Sequence, residues 1–177
     1  MKTDPFDDED TVPADTLLAV DAHASSIGHI VIGYNSAQAL VFAIFARLSG
    51  MPLSQAHAVF FALKADVQQR AITKALTEVT LSENKKARKA IVTAVSRLDE
   101  LSTERNAVIH SMWSMPTEGK EIGIIENTKI HHPKFGSDIA LAIEHLDERL
   151  KSATDALYAA FELAGQRASS RQKSGGQ

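Results

Sequence analysis

Arg105, Asn106 and His110 stand together in the stretch "ERNAVIHSMW", residues 104–113. A guanidinium is a permanent cation whose planar fork takes a carboxylate or phosphate bidentately, and an imidazole exchanges a proton near neutral pH. The carboxamide between them both donates and accepts. This set could hold an anion and move a proton. Its placement is unusual. At about 100° per residue, a long amphipathic helix carries the stripe Ile91, Ala94, Leu98, Leu101, Arg105, Val108, Met112 and Met115, with Arg105 near its middle. Burying an unpaired guanidinium is costly, so Arg105 needs a carboxylate, a water-filled cleft, a symmetry mate or a bound anion. Asn106 and His110 are one turn apart and can touch. Arg105 and His110 point about 140° apart on an ideal helix, so joint action requires side-chain reach, a helix distortion, or a two-fold mate that sets residue i of one copy against residue j of the other. The plainer reading makes Arg105 a snorkelling or ion-paired side chain and His110 a boundary residue.

Composition narrows the classes. The chain has 177 residues, enough for one domain with tails, and 44% apolar content with only 9 Gly and 5 Pro implies that most of it is regular and packed. A formal net charge of -3 offers no global attraction to nucleic acid, so any such site is local. No cysteine is present, which excludes a disulfide framework and thiolate metal sites. The acidic start "MKTDPFDDEDTVPAD" lacks the apolar core of a secretory signal, and a cytoplasmic protein is expected. Residues 22–46 hold no Asp, Glu, Lys or Arg, but two His, Asn35, Ser36 and Gln38 make them too polar for a lipid-facing span. They read as a buried core helix, with no membrane partner. His23, His29 and His57 lack ligand spacing, and no phosphate loop, dinucleotide fingerprint or serine-nucleophile motif occurs. Neither a metal nor a cofactor is expected.

The elements that must position the motif are helical. Residues 1–14 read as a flexible acidic lead, 15–165 as a single all-α domain, and 166–177 as a disordered basic tail. Within the domain the pattern predicts a helix from Asp15 to about Gly28 and a second from about Ile30 to Leu48, stopped by "SGMP". A third should be capped by Ser54. A fourth should be opened by a capping box of Asp66 and Gln69, and the long motif helix should run from Ser82 to about Met115. The segment "PTEGKEIGIIENTKIHHPKFG" suggests a short hairpin or ordered loop. A last helix should then present Ile139, Ile143, Leu146, Leu150, Ala153, Leu157 and Phe161 on one face and stop at Gly165. The expectation is an all-α helical bundle.

"RNAVIH" resembles the Arg-x4-6-His signature of the HEPN superfamily (higher eukaryotes and prokaryotes nucleotide-binding), in which a polar residue, often Asn, follows the Arg. The resemblance rests on Arg105, Asn106 and His110 near the C-terminal end of a long helix, running on into Met112 and Trp113. It implies a metal-independent endoribonuclease of toxin, anti-phage or RNA-processing systems. It further implies a homodimer with two motifs facing one cleft, and RNA together with an antitoxin or regulatory protein as partners. In that reading His110 takes the proton of a 2'-hydroxyl, Arg105 stabilises the phosphorane-like charge and Asn106 orients His110 or binds phosphate. The products are a 2',3'-cyclic phosphate and a 5'-hydroxyl. Trp113, Lys129, His131 and His132 are the supplementary substrate-binding candidates. Further positive charge would come from Lys85, Lys86, Arg88 and Lys89, whose "NKKARKA" run otherwise reads as a solvated helix face, or from Lys120, Lys134 and the tail. Glu100 and Glu104 beside the motif oppose that charge. The competing reading is a non-catalytic HEPN-like module for dimerisation, partner binding or regulation.

Overall fold

The computed structural model describes the backbone of residues 14–110 and 139–174, and their side chains except at 15, 16, 19, 139–141 and 166–174. Five helices and no strand occur among the described residues, an all-α bundle: α1 (Ala14–Ser49), α2 (Leu53–Ala62), α3 (Asp66–Thr80), α4 (Lys85–Ile109) and α5 (Ile139–Ser174). The expected hairpin or loop before α5 lies outside the described residues.

Several helix ends differ from the sequence expectation, each for a local reason. Residues expected to form two helices divided near Gly28 form one, because a glycine in open space weakens a helix by only about 1 kcal/mol and the turns beyond it bury Ile30 and Tyr34. α1 stops where Gly50 takes a left-handed φ of 65°, with Pro52 following. Neither predicted side-chain cap forms. Pro52, not Ser54, precedes α2, and the Gln55 and Ala56 amides bond to the Pro52 carbonyl. Asp66 is the first residue of α3, after an extended Ala65, and Gln69 turns away to donate to the Leu63 carbonyl at 2.9 Å. α4 begins three residues later than expected, because Asn84 caps it through the Ala87 amide at 3.1 Å. It ends at Ile109, short of Met115. α5 continues through Gly165, its expected stop, to Ser174, into residues assigned to a disordered tail.

Side-chain pairings set the helix directions. Asp66 meets Arg105 and Glu78 meets Arg88, so α3 and α4 are antiparallel. Gly33 lies against Leu150, and Arg47 reaches the Phe161 carbonyl, so α1 and α5 are parallel. Arg149 bonds Glu104 at 2.5 Å where α4 and α5 pass. Glu104 shares a cleft with Ala142 and His145, and Arg97 one with Ser152 and Ala153, so α4 and α5 are antiparallel. α1, α3 and α5 therefore run one way and α4 the other, while α2 is a short return that brings the chain back beside Phe42 and Phe45. Part of α1, Val20–Ser49, is long and apolar enough to cross a membrane by length and composition. In the bundle one side of it buries Ile30, Tyr34, Ala37, Val41, Ile44, Phe45 and Leu48, while Ile32 on another side is exposed.

α2 is held by little: Ala56 and Phe60 are its buried residues, and the Phe60 ring packs on Phe42, Phe45 and Phe61. Phe60→Ala should destabilise the protein by about 3–5 kcal/mol, read as a lowered midpoint in urea unfolding followed by circular dichroism. An unchanged midpoint would mean that α2 docks without it.

Candidate functional site

The side of α3 that faces the bundle is polar. Gln69, Arg70, Thr73 and Thr77 are its buried residues, a combination no apolar-stripe rule selects. The threonines satisfy their hydroxyls by donating to carbonyls one turn back, Thr73 to Gln69 at 2.8 Å and Thr77 to Thr73 at 2.7 Å, and so present methyl groups to the core. Arg70 is only 2% exposed, and its Nε donates to Asp99 of α4 at 2.5 Å. Its Nη1 donates to the Tyr34 hydroxyl at 2.8 Å and to Gln38 Oε1 at 3.1 Å, both on α1. Lys74 takes the other Asp99 oxygen at 2.5 Å, and Gln38 donates onward to Gln69 at 2.8 Å. One buried cation thus links three helices.

Arg105 belongs to the same layer. Its guanidinium lies over the Tyr34 ring, 4.3 Å from the centroid, and its Nη2 meets Asp66 Oδ2 at 3.4 Å. Its side chain is 22% exposed, and its Nε is buried without a hydrogen-bond partner. Of the partners expected for a cation in the seam the carboxylate is present, and the aromatic face of Tyr34 is one the sequence reading did not include. Burial pushes the Tyr34 phenol up, against the lowering effect of the Arg70 and Arg105 charges, so the ring under Arg105 stays neutral. Stripe residues Ile91, Ala94, Leu98, Leu101 and Val108 are buried as expected.

Asn106 and His110 do not join this layer. Both are exposed. His110 is the C-cap of α4, with φ -97° and ψ 9°, and its amide donates to the Asn106 carbonyl at 3.0 Å. Among the described residues no hydrogen bond or ion pair connects Arg105 with His110: Arg105 turns into the bundle, and His110 lies about 7.5 Å farther along the axis at the helix end. Trp113, Lys129, His131 and His132 lie outside the described residues, as do Lys120 and Lys134. Lys85, Lys86 and Lys89 are exposed, and Arg88 pairs with Glu78 at 3.3 Å.

Near the same end of the bundle, a cavity of about 260 Å³ between α1 and α5 is lined by His23, Ser26, His29, Ile143, Glu144 and Asp147. Among the described residues no group of three or more His, Asp or Glu side chains is arranged to hold a metal. Beside Glu104, a second cleft carries His145, Glu148 and Arg149 and so mixes both signs of charge.

Arg70, Tyr34, Gln38 and Asp99 went unrecognised in the sequence. The available signal was the polar run Asp66, Gln69, Arg70, Thr73 and Thr77 at helical spacing, which reads as a solvated face unless the partner carboxylate on another helix is known. Comparisons with known proteins identify no kin: no family model matches the chain, and neither a curated protein nor a solved structure matches it.

Burial would raise the Asp99 carboxyl, but hydrogen bonds from Lys74 and Arg70, with their charges, outweigh it and hold the group below the ordinary aspartate range. A depressed folded-state value means stability that is fully present above about pH 4 and lost as pH falls through the lower folded value. Asp99→Asn should cost about 3 kcal/mol at neutral pH by leaving Arg70 with neutral acceptors, and should flatten the loss of stability between about pH 5 and pH 3. Urea midpoints across that range provide the measurement, and parallel acid limbs in the two proteins would remove Asp99 from the titrating set.

Proposed function

We propose that the chain is a HEPN-like, metal-independent endoribonuclease acting on RNA in the cytoplasm, in a toxin or anti-phage setting. The observation that carries this reading is the division of labour at the end of α4. Arg105 is fixed on the Tyr34 ring, whereas Asn106 and His110, one turn apart, face solvent. Catalysis of transesterification needs a rigid positive charge near the phosphate and an accessible base near the 2'-hydroxyl. His110 takes the 2'-hydroxyl proton as O2' bonds to phosphorus. The 5'-oxygen leaves and receives a proton from solvent or from the motif of a second copy, giving a 2',3'-cyclic phosphate and a 5'-hydroxyl. Asn106 orients His110 or contacts the phosphate. A homodimer that brings two motifs to one cleft is part of the proposal, because Arg105 and His110 diverge within one chain.

A second reading, a non-catalytic HEPN-like module for dimerisation or regulation, draws support from the Asp66–Arg105 pair, which neutralises the cation that phosphate would need.

His110→Ala should abolish cleavage of single-stranded RNA in EDTA while shifting stability by no more than about 0.5 kcal/mol, as expected for an exposed side chain. Wild-type protein that leaves such RNA intact in EDTA sinks the enzyme reading. In that case Arg105→Ala becomes the informative variant: the regulatory module requires a lowered melting temperature or a smaller assembly.

A further inference from the structure

α3 is inverted. Its polar residues face the bundle, and the half of the helix turned to solvent carries Val67, Ala71, Ala75 and Val79, all exposed, with Ile72 and Leu76 only partly covered at its margin. Val67 is 58% and Val79 76% exposed. Val67, Ala71, Ala75 and Val79 recur every fourth residue and form one straight ridge, the kind that seats in the groove of a facing helix. The exposed polar residues on this half are Gln68 and Glu78.

We propose that this face is a contact between two copies of the chain, with their α3 helices antiparallel across a two-fold axis that passes between Ala71 and Ala75, level with Thr73 on the buried side of the helix. The occupant is indicated by the fully exposed positions, which read alike in both directions, while at the margin Ile72 comes opposite the partner's Lys74 stem. Two residues either side of Thr73 stand Ala71 and Ala75, five away Gln68 and Glu78, and six away Val67 and Val79. The two-fold therefore sets alanine against alanine, where small side chains permit close approach. It also sets valine against valine and the Gln68 amide against the partner's Glu78 carboxylate, with every contact made twice. No charge meets its like: Glu78, which pairs with Arg88 of its own chain at 3.3 Å, keeps its other carboxylate oxygen for a neutral donor, and Lys74 leans to Asp99 of its own chain. A different protein partner would have no reason to match this symmetry.

The contact does not depend on the ribonuclease reading. Arg105 sits at the Asp66 end of α3, so this two-fold leaves the two Arg105 side chains at opposite ends of the interface. A dimer that joins motifs would use another surface.

The test is self-association of the full chain at high micromolar concentration, followed by light scattering and sedimentation. Wild type should associate, and Ala75→Glu, an exposed substitution in a helix, should weaken that association on the order of tenfold or more with an unchanged circular dichroism spectrum. Because the chain lacks cysteine, Ala71→Cys and Ala75→Cys supply a second measurement that reports register. Mixed and oxidised, the two variants should give a covalent dimer that neither gives alone. Monomeric wild type, association indifferent to Ala75→Glu, or cross-linking of either variant with itself as efficiently as with the other would overturn the proposal.

Discussion

The Arg70–Asp99 ion pair is the interaction around which the bundle is arranged. A guanidinium this deeply buried is tolerated only with its hydrogen-bonding capacity met on several sides. Here Asp99 comes from α4, and Tyr34 and Gln38 come from α1. Those bonds set where α3 lies against both neighbours and which side of it faces inward. Gln69 extends the network to the Leu63 carbonyl in the α2–α3 connection, and Lys74 completes the carboxylate. The apolar core of α1, α4 and α5 supplies most of the burial, while the polar layer specifies how α3 is oriented on it.

Arg105 depends on that layer. The Tyr34 ring that carries its guanidinium is held through its hydroxyl by Arg70, and Asp66 is held by the placement of α3. The motif's cation is thus fixed from inside the protein, and Asn106 and His110 remain on the surface at the end of the helix. This separation is compatible with a catalytic role for the exposed pair and with a packing role for Arg105. The same buried polarity also leaves α3 with its apolar residues outward, so the stability of one layer creates the surface available for assembly.

The legible parts of the fold were those governed by local pattern. The stripe of α4 as far as Val108, that of α5 from Ile143 to Leu157, and the end of α1 at Gly50 follow from apolar spacing and glycine stereochemistry, and these are seen in the bundle, with Phe161 partly buried. Gly28 and Gly165 were read as boundaries because glycine disfavours helix, but long-range packing outweighs about 1 kcal/mol of propensity. At Gly165 the missing side chain makes room for Arg47, which stacks on Phe161. The predicted caps at Ser54 and Asp66 failed because Pro52 and Ala65 occupy the cap positions.

The need of Arg105 for a partner was evident from its place in an apolar stripe, since burial of an uncompensated charge is costly wherever it occurs. The identity of that partner was not, because Tyr34 and Asp66 are distant in sequence and meet Arg105 only when α1, α3 and α4 pack. By itself the sequence determined an all-α chain, the apolar faces of its long helices, and a motif with the chemistry of anion binding and proton transfer. Only the tertiary structure decided that α3 turns its polar side inward, that Arg70 rather than Arg105 is the buried hub, and that Tyr34 and Asp66 are what Arg105 meets. Helical periodicity reports which residues share a face, whereas which face is buried depends on charges supplied by other helices.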